Sequence, residues 1–92
     1  MANAIVTLNI MPENPEVNLD DVKEKVKKEI TEFAGEGEMR EEIEPVAFGL
    51  KALKITFVMD ESKGSPEPVE EAIEKIDGVN SVEVVDVRRA IG

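Results

Sequence analysis

Two segments of this chain hold the side chains best suited to recognising another molecule. The first is Glu44-Pro45-Val46-Ala47-Phe48-Gly49-Leu50-Lys51-Ala52-Leu53, where a large aromatic and a glycine meet at the junction of two predicted strands. The second is Arg88-Arg89, the basic end of a Val-rich strand in a very acidic chain. A rigid aromatic on a turn can fill a partner's pocket at low entropic cost. Only 3 of the 92 residues are Phe, so spending one on a turn is informative. The other reading is that Phe48 folds back over one end of the core, and the residues alone leave both open. For the arginines the alternative is an ordinary charged strand end. Strand alternation puts the two guanidinium groups on opposite faces, so one of them at most reaches a given partner directly.

Other chemistries lack their residues. The chain has no Cys and no His, which removes disulfides, zinc sites, thiolate nucleophiles and an imidazole base together. Carboxylates are abundant, but a catalytic pair needs burial or a shaped cleft to separate its pKa values. Glu41, Glu42 and Glu44 read as solvated charge. Asp60-Glu61-Ser62-Lys63-Gly64 lacks the alternating oxygen ligands of a calcium loop. No Gly-rich phosphate cradle follows a strand, and no Tyr or Trp is available to stack on bases. The expectation is a binding module with no catalytic residue, no metal and no cofactor of its own.

The formal net charge is −10, from 21 acidic and 11 basic residues. A field of that sign repels nucleic acid and anionic membranes and favours a partner with a basic or mixed surface. Solubility alone is the other reading of the same charge. No apolar run is long enough to span a bilayer, and Met1-Ala2-Asn3-Ala4 has no basic leader pattern, so a soluble cytoplasmic protein is expected.

The elements that must position these segments follow from periodicity. Ala4, Val6, Leu8 and Ile10 alternate on one face of a first strand over 2–10, which Pro12 and Pro15 then interrupt. Asn18 is placed to cap a helix whose stripe is Leu19, Val22, Val26, Ile30 and Phe33, ending at Gly35. A weak Glu-rich strand over 39–47 and a strong one over 50–59 follow, the latter with Leu53, Ile55, Phe57 and Met59 inward. Ser65 and Pro66 open a second helix with Val69, Ala72, Ile73 and Ile76 inside, and Gly78 ends it. The last strand runs over 79–89. Val82 and Val84 point one way along it, and Val85 and Val87 the other, unless a bulge intervenes. The order β-α-β-β-α-β predicts an α+β, ferredoxin-like split βαβ fold: a four-stranded antiparallel sheet with two helices on one face.

The turn segment, together with Val82-Glu83-Val84-Val85-Asp86-Val87-Arg88-Arg89, resembles the archaeal elongation factor 1-beta family. That family is similar to the C-terminal exchange domain of the eukaryotic factor, whose turn reads roughly Pro-hydrophobic-Gly-Phe/Tyr-Gly-Ile-Lys-Lys-Leu. The likeness covers the whole chain. It implies that residues 1–92 are a single guanine-nucleotide exchange domain acting on the elongation factor 1-alpha GTPase, with magnesium and GDP belonging to that partner. The implied partner-binding residues are Phe48, Gly49, Lys51, Arg88 and Arg89. Phe48 matches the docking aromatic, and Arg89 matches the basic residue that intrudes near the magnesium and phosphate site. There the eukaryotic domain has Lys, so the planar guanidinium is a departure. The competing expectation is a small regulatory or ligand-binding module of the same fold, pairing through its last strand. A weaker one is a ribosome-associated scaffold, against which the net charge argues.

Overall fold

Strict alternation in the first strand decides the architecture. The computed structural model describes residues 3–35 and 37–90. It runs β1 (Asn3–Pro12), α1 (Leu19–Ala34), β2 (Met39–Pro45), β3 (Lys51–Asp60), α2 (Glu67–Glu74) and β4 (Val79–Ala90), with short 3-10 turns at Ala47–Gly49 and Glu61–Lys63. Ala4, Val6, Leu8 and Ile10 are buried along one face of β1. Directly opposite lie Met59, Phe57, Ile55 and Leu53 of β3, also buried. Residues opposite one another in an antiparallel pair share a face, so these eight make one continuous apolar floor.

The sheet order is β2-β3-β1-β4 and every pairing is antiparallel. Val22, Val26 and Ile30 of α1, with Val69 and Ile73 of α2, join the same core, so both helices cover the same face. This is the ferredoxin-like split βαβ arrangement. Each large aliphatic side chain fully buried there contributes about 1.5–3 kcal/mol over leaving it in water. The opposite face is open and carries the alternate residues, among them Thr7 and Thr56, whose hydroxyls lie 3.1 Å apart.

The caps follow from local chemistry. Asn18 is the N-cap of α1, its side chain accepting from the N–H groups of Asp20 and Asp21. The second helix starts one residue later than the sequence predicts. Ser65 Oγ accepts from the Glu67 N–H at 3.0 Å, and the Pro66 carbonyl accepts from Val69 and Glu70. Pro66 therefore occupies the cap, and Pro68 sits in the first turn, where its missing N–H is harmless.

Two strands also depart from expectation. β1 continues to Pro12, because a register shift after Met11 sets this proline opposite Val79 where no ladder donor is required. In β4 the pairing jumps from Leu8–Val84 to Thr7–Asp86, so Val85 is an extra, bulged residue. Simple alternation fails at that point. Val87 comes opposite the buried Val6, on the same face as Val82 and Val84 and not with Val85 as alternation had it. The apparent two-faced apolar strand is a bulge.

Two stability predictions follow. Gly78 has φ +94°, and a Cβ there would meet Val17 Cγ1 at 3.0 Å, whereas Gly64, at φ +82°, has open space around it. Gly64→Ala should cost about 1 kcal/mol or more from backbone strain alone, since φ +82° with ψ −129° lies in a region left to glycine. Gly78→Ala adds the clash and should cost about 2–3 kcal/mol, lowering Tm by roughly twice as much or more in thermal unfolding. On α2, desolvation and then the charges of Glu67, Glu74 and Glu71 raise the Glu70 pKa. A carboxylate raised on folding destabilises the native state once pH climbs through its folded value, and that penalty disappears below its unfolded value. Glu70→Gln should therefore raise Tm at pH 7, by a few degrees for about 0.5 kcal/mol of relieved like-charge contact, and leave it unchanged near pH 3.

Candidate functional site

Phe48 stands clear of the core. It is 94% exposed, the highest among the large apolar residues left outside. The turn that carries it is closed by two hydrogen bonds, Val46 N–H to the Leu50 carbonyl at 2.8 Å and Leu50 N–H to the Ala47 carbonyl at 3.3 Å. Phe48 (φ 62°, ψ 31°) and Gly49 (φ 76°) are consecutive left-handed residues, the geometry of a type I′ hairpin reversal. Gly49 adopts it freely. Phe48 is the single non-glycine with positive φ among the described residues, and that conformation costs an ordinary side chain about 1–2 kcal/mol. The ring gains no burial in return.

Val46 (41%), just before the turn, and Ile43 (45%), on β2, are the other exposed large apolar residues of this arm of the sheet. A cleft of about 300 Å³ opens between this hairpin and the start of α1, lined by Ile43, Gly49 and Lys51 on one side and by Pro15, Val17 and Leu19 on the other. Sequence reasoning missed Ile43 and Val46. Ile43 lies opposite the buried Leu53 and so carries a core pattern, but β2 is an edge strand and leaves it half uncovered. An apolar residue on a Glu-rich edge strand was the available signal.

Arg88 and Arg89 lie at the other end of the sheet. Arg89 is opposite Ala4, which is opposite Met59, whereas the hairpin begins at the Pro45–Lys51 pair. Eight residues of β3 separate those rows, about 25 Å at strand rise. The structure thus groups Phe48, Gly49 and Lys51 at one end and the two arginines at the other. Their register does put the arginines on opposite faces, Arg88 across from Ile5 and Arg89 across from Ala4. Each donates through Nε to a carboxylate: Arg88 to Asp86 Oδ2 at 2.9 Å, Arg89 to Glu61 Oε1 at 2.7 Å. Both side chains remain more than 70% exposed. Beside Glu61, hydrogen bonds from the Ser62 N–H and hydroxyl hold the Asp60 carboxyl below its ordinary pKa. Among the described residues no cluster of three or more carboxylates is placed to hold a metal ion, and no helix is long and apolar enough to cross a membrane.

The ferredoxin-like sheet thus carries an exposed aromatic hairpin at one end and two exposed arginines at the other. Residues 5–90 match the EF-1 guanine nucleotide exchange domain, and the chain belongs to that family. It is 45% identical over 89 residues to elongation factor 1-beta of Methanosphaera stadtmanae, covering 97% of this chain and 98% of that protein. Elongation factor 1-beta of Methanothermobacter thermautotrophicus is 43% identical over 91 residues, with 97% and 98% covered. That of Staphylothermus marinus is 40% identical over 90 residues, again with 97% and 98% covered. Guanine-nucleotide exchange in translation elongation is the role this family carries, as regulator of a GTPase.

The strain at Phe48 makes a prediction independent of any partner. Asn tolerates the left-handed region, so Phe48→Asn should keep the fold and raise stability by about 0.5–1 kcal/mol, read as a Tm several degrees higher. A fall in Tm would mean that the ring contributes to folding.

Proposed function

We propose that residues 1–92 act as one exchange domain that accelerates GDP release from elongation factor 1-alpha, working in the cytoplasm with translation. The observation that carries this reading is Phe48, an aromatic held almost fully exposed in a conformation that costs folding energy. Strain kept at a surface residue points to a role outside the fold. The ring enters an apolar pocket of the GTPase, with Val46 and Ile43 around it and Gly49 and Lys51 beside it. Arg89 reaches the partner's magnesium and phosphate site, with Arg88 on its flank, and competes there with the metal for anionic oxygens. A span of some 25 Å between the two contacts requires a GTPase that meets the sheet along its length.

No bond is made or broken in this mechanism. The factor binds nucleotide-free GTPase more tightly than the GDP-bound form, and linkage makes that preference reciprocal: the factor weakens GDP binding by the same ratio by which GDP weakens the factor's. A thousandfold faster release needs about 4 kcal/mol of preferential stabilisation in the release transition state. One anchored aromatic and one charge that displaces a metal contact can supply this.

The test is release of fluorescent GDP from purified elongation factor 1-alpha at catalytic amounts of this protein. Wild type should accelerate release by orders of magnitude. Phe48→Ala should raise the half-saturating concentration at least tenfold, for about 1.4 kcal/mol or more of lost anchor energy. Arg89→Ala should instead lower the rate at saturation, with Arg89→Lys retaining part of it. Absence of both acceleration and binding would overturn the reading.

A further inference from the structure

Arg89 does not lie free at the strand end; it crosses the sheet. Its strand position is opposite Ala4, yet its guanidinium bonds Glu61, which follows the far strand β3. Two strand spacings, about 9–10 Å, separate β4 from β3, a gap that the arginine stem and the Glu61 side chain close together. Between the two strands, in the row of Arg89, stands Ala4, the smallest residue on the buried face of β1, where Val6, Leu8 and Ile10 follow.

Glu61 sits on a fixed support. It opens the 3-10 turn Glu61–Lys63, and its carbonyl accepts from the Gly64 N–H at 3.0 Å. Asp60 caps the turn by accepting from the Ser62 N–H at 2.8 Å. The backbone holding Glu61 is therefore determined from both sides. The bond to Arg89 uses Nε, the inner edge of the guanidinium. A guanidinium carries five donors in a rigid plane, so a bond at Nε restrains that plane while the terminal amino groups keep their four donors for other acceptors, and the side chain is 72% exposed. An exposed ion pair of this kind adds little to stability; its effect is on orientation.

We infer that Glu61 is a positioning residue for exchange: by holding Nε of Arg89 it aims the outer guanidinium nitrogens at the partner's anionic site. The inference rests on the function proposed above, and deepens it by assigning a role to a residue of the β3–α2 turn that touches neither GDP nor magnesium.

The experiment combines exchange kinetics on elongation factor 1-alpha loaded with fluorescent GDP and the 15N–1H resonance of Arg89 Nε in the free protein. Glu61→Ala should lower the exchange rate at saturation about three- to tenfold, as expected for a coupled pair, with half-saturation changed less than twofold and Tm nearly unchanged. Glu61→Gln keeps an oxygen that accepts from Nε and should recover most of the rate. In an Arg89→Ala background, Glu61→Ala should change nothing further. The Nε–H resonance should be sharp and shifted downfield in wild type and in Glu61→Gln, and should move toward the free arginine position in Glu61→Ala. The inference is overturned if Glu61→Ala exchanges at the wild-type rate or faster, or if it slows the Arg89→Ala protein as much as wild type. If Arg89→Ala itself exchanges normally while the Nε–H signal reports an intact bridge, the role of Arg89 in the proposed function has failed, and the positioning role with it. A slow Arg89→Ala beside a normal Glu61→Ala overturns the positioning role alone.

Discussion

β1 is the constraint from which the rest of the molecule follows. It is hydrogen-bonded on both sides, to β3 and to β4, and its buried face forms the middle of the core. A slip of one residue in either pairing would turn a whole strand's apolar set toward water, so the register is strongly specified. Because β3 and β4 are both read against β1, that register also fixes what lies at each end. It sets Met59, Ala4 and Arg89 in one row, and carries β3 back eight residues to the hairpin that bears Phe48. The distance between the two candidate contacts is a property of the core.

The two ends obey different physics. At the hairpin, the backbone is bent into consecutive left-handed residues, one of which is an aromatic with nothing to pack on. Local preference is overruled there, and the cost is carried by a core that is well packed elsewhere. At the arginine end no described residue other than glycine has a positive φ. Charges are paired across short distances, and the order comes from hydrogen bonds to carboxylates on neighbouring elements. A rigid apolar anchor and an oriented charge are complementary devices: the first supplies affinity through desolvation, the second directs a field at a defined point.

Much of this was legible in the residues. Alternation at Ala4, Val6, Leu8 and Ile10, the Asn18 cap and the stripes of both helices gave the element order, because each rests on a period that tertiary packing does not alter. The β4 bulge was not decidable, since Val84-Val85-Asp86-Val87 reads equally as a two-faced strand; only the pairing with Leu8 and Thr7 locates the extra residue. The turn at Phe48 was visible from Gly49, but its exposure depends on which way a hairpin leaves the sheet. Ile43 was hidden by its own regularity. Its position repeats the core pattern, and half of it lies open because an edge strand has cover on one flank only. The Glu61–Arg89 bridge joins residues 28 apart, and no local pattern encodes it.

The overall charge of −10 looks unfavourable for a protein proposed to reach a site of magnesium and phosphates. Screening resolves this. At physiological ionic strength the Debye length is about 8 Å, so a group at the arginine end responds to its immediate neighbours and hardly to the carboxylates of the β1–α1 loop at the opposite end of the sheet. What matters is the local arrangement, and there each guanidinium is paired with one carboxylate while most of its surface stays exposed. The pairing also suits a chain that must not bind anions indiscriminately. A neutralised arginine attracts free phosphate weakly, and in the proposed mechanism it becomes effective only when the hairpin at the other end has fixed the partner in place and proximity is already secured. The acidic surface elsewhere opposes nucleic acid and other polyanions, which in the same mechanism leaves the two ends of the sheet to select the partner.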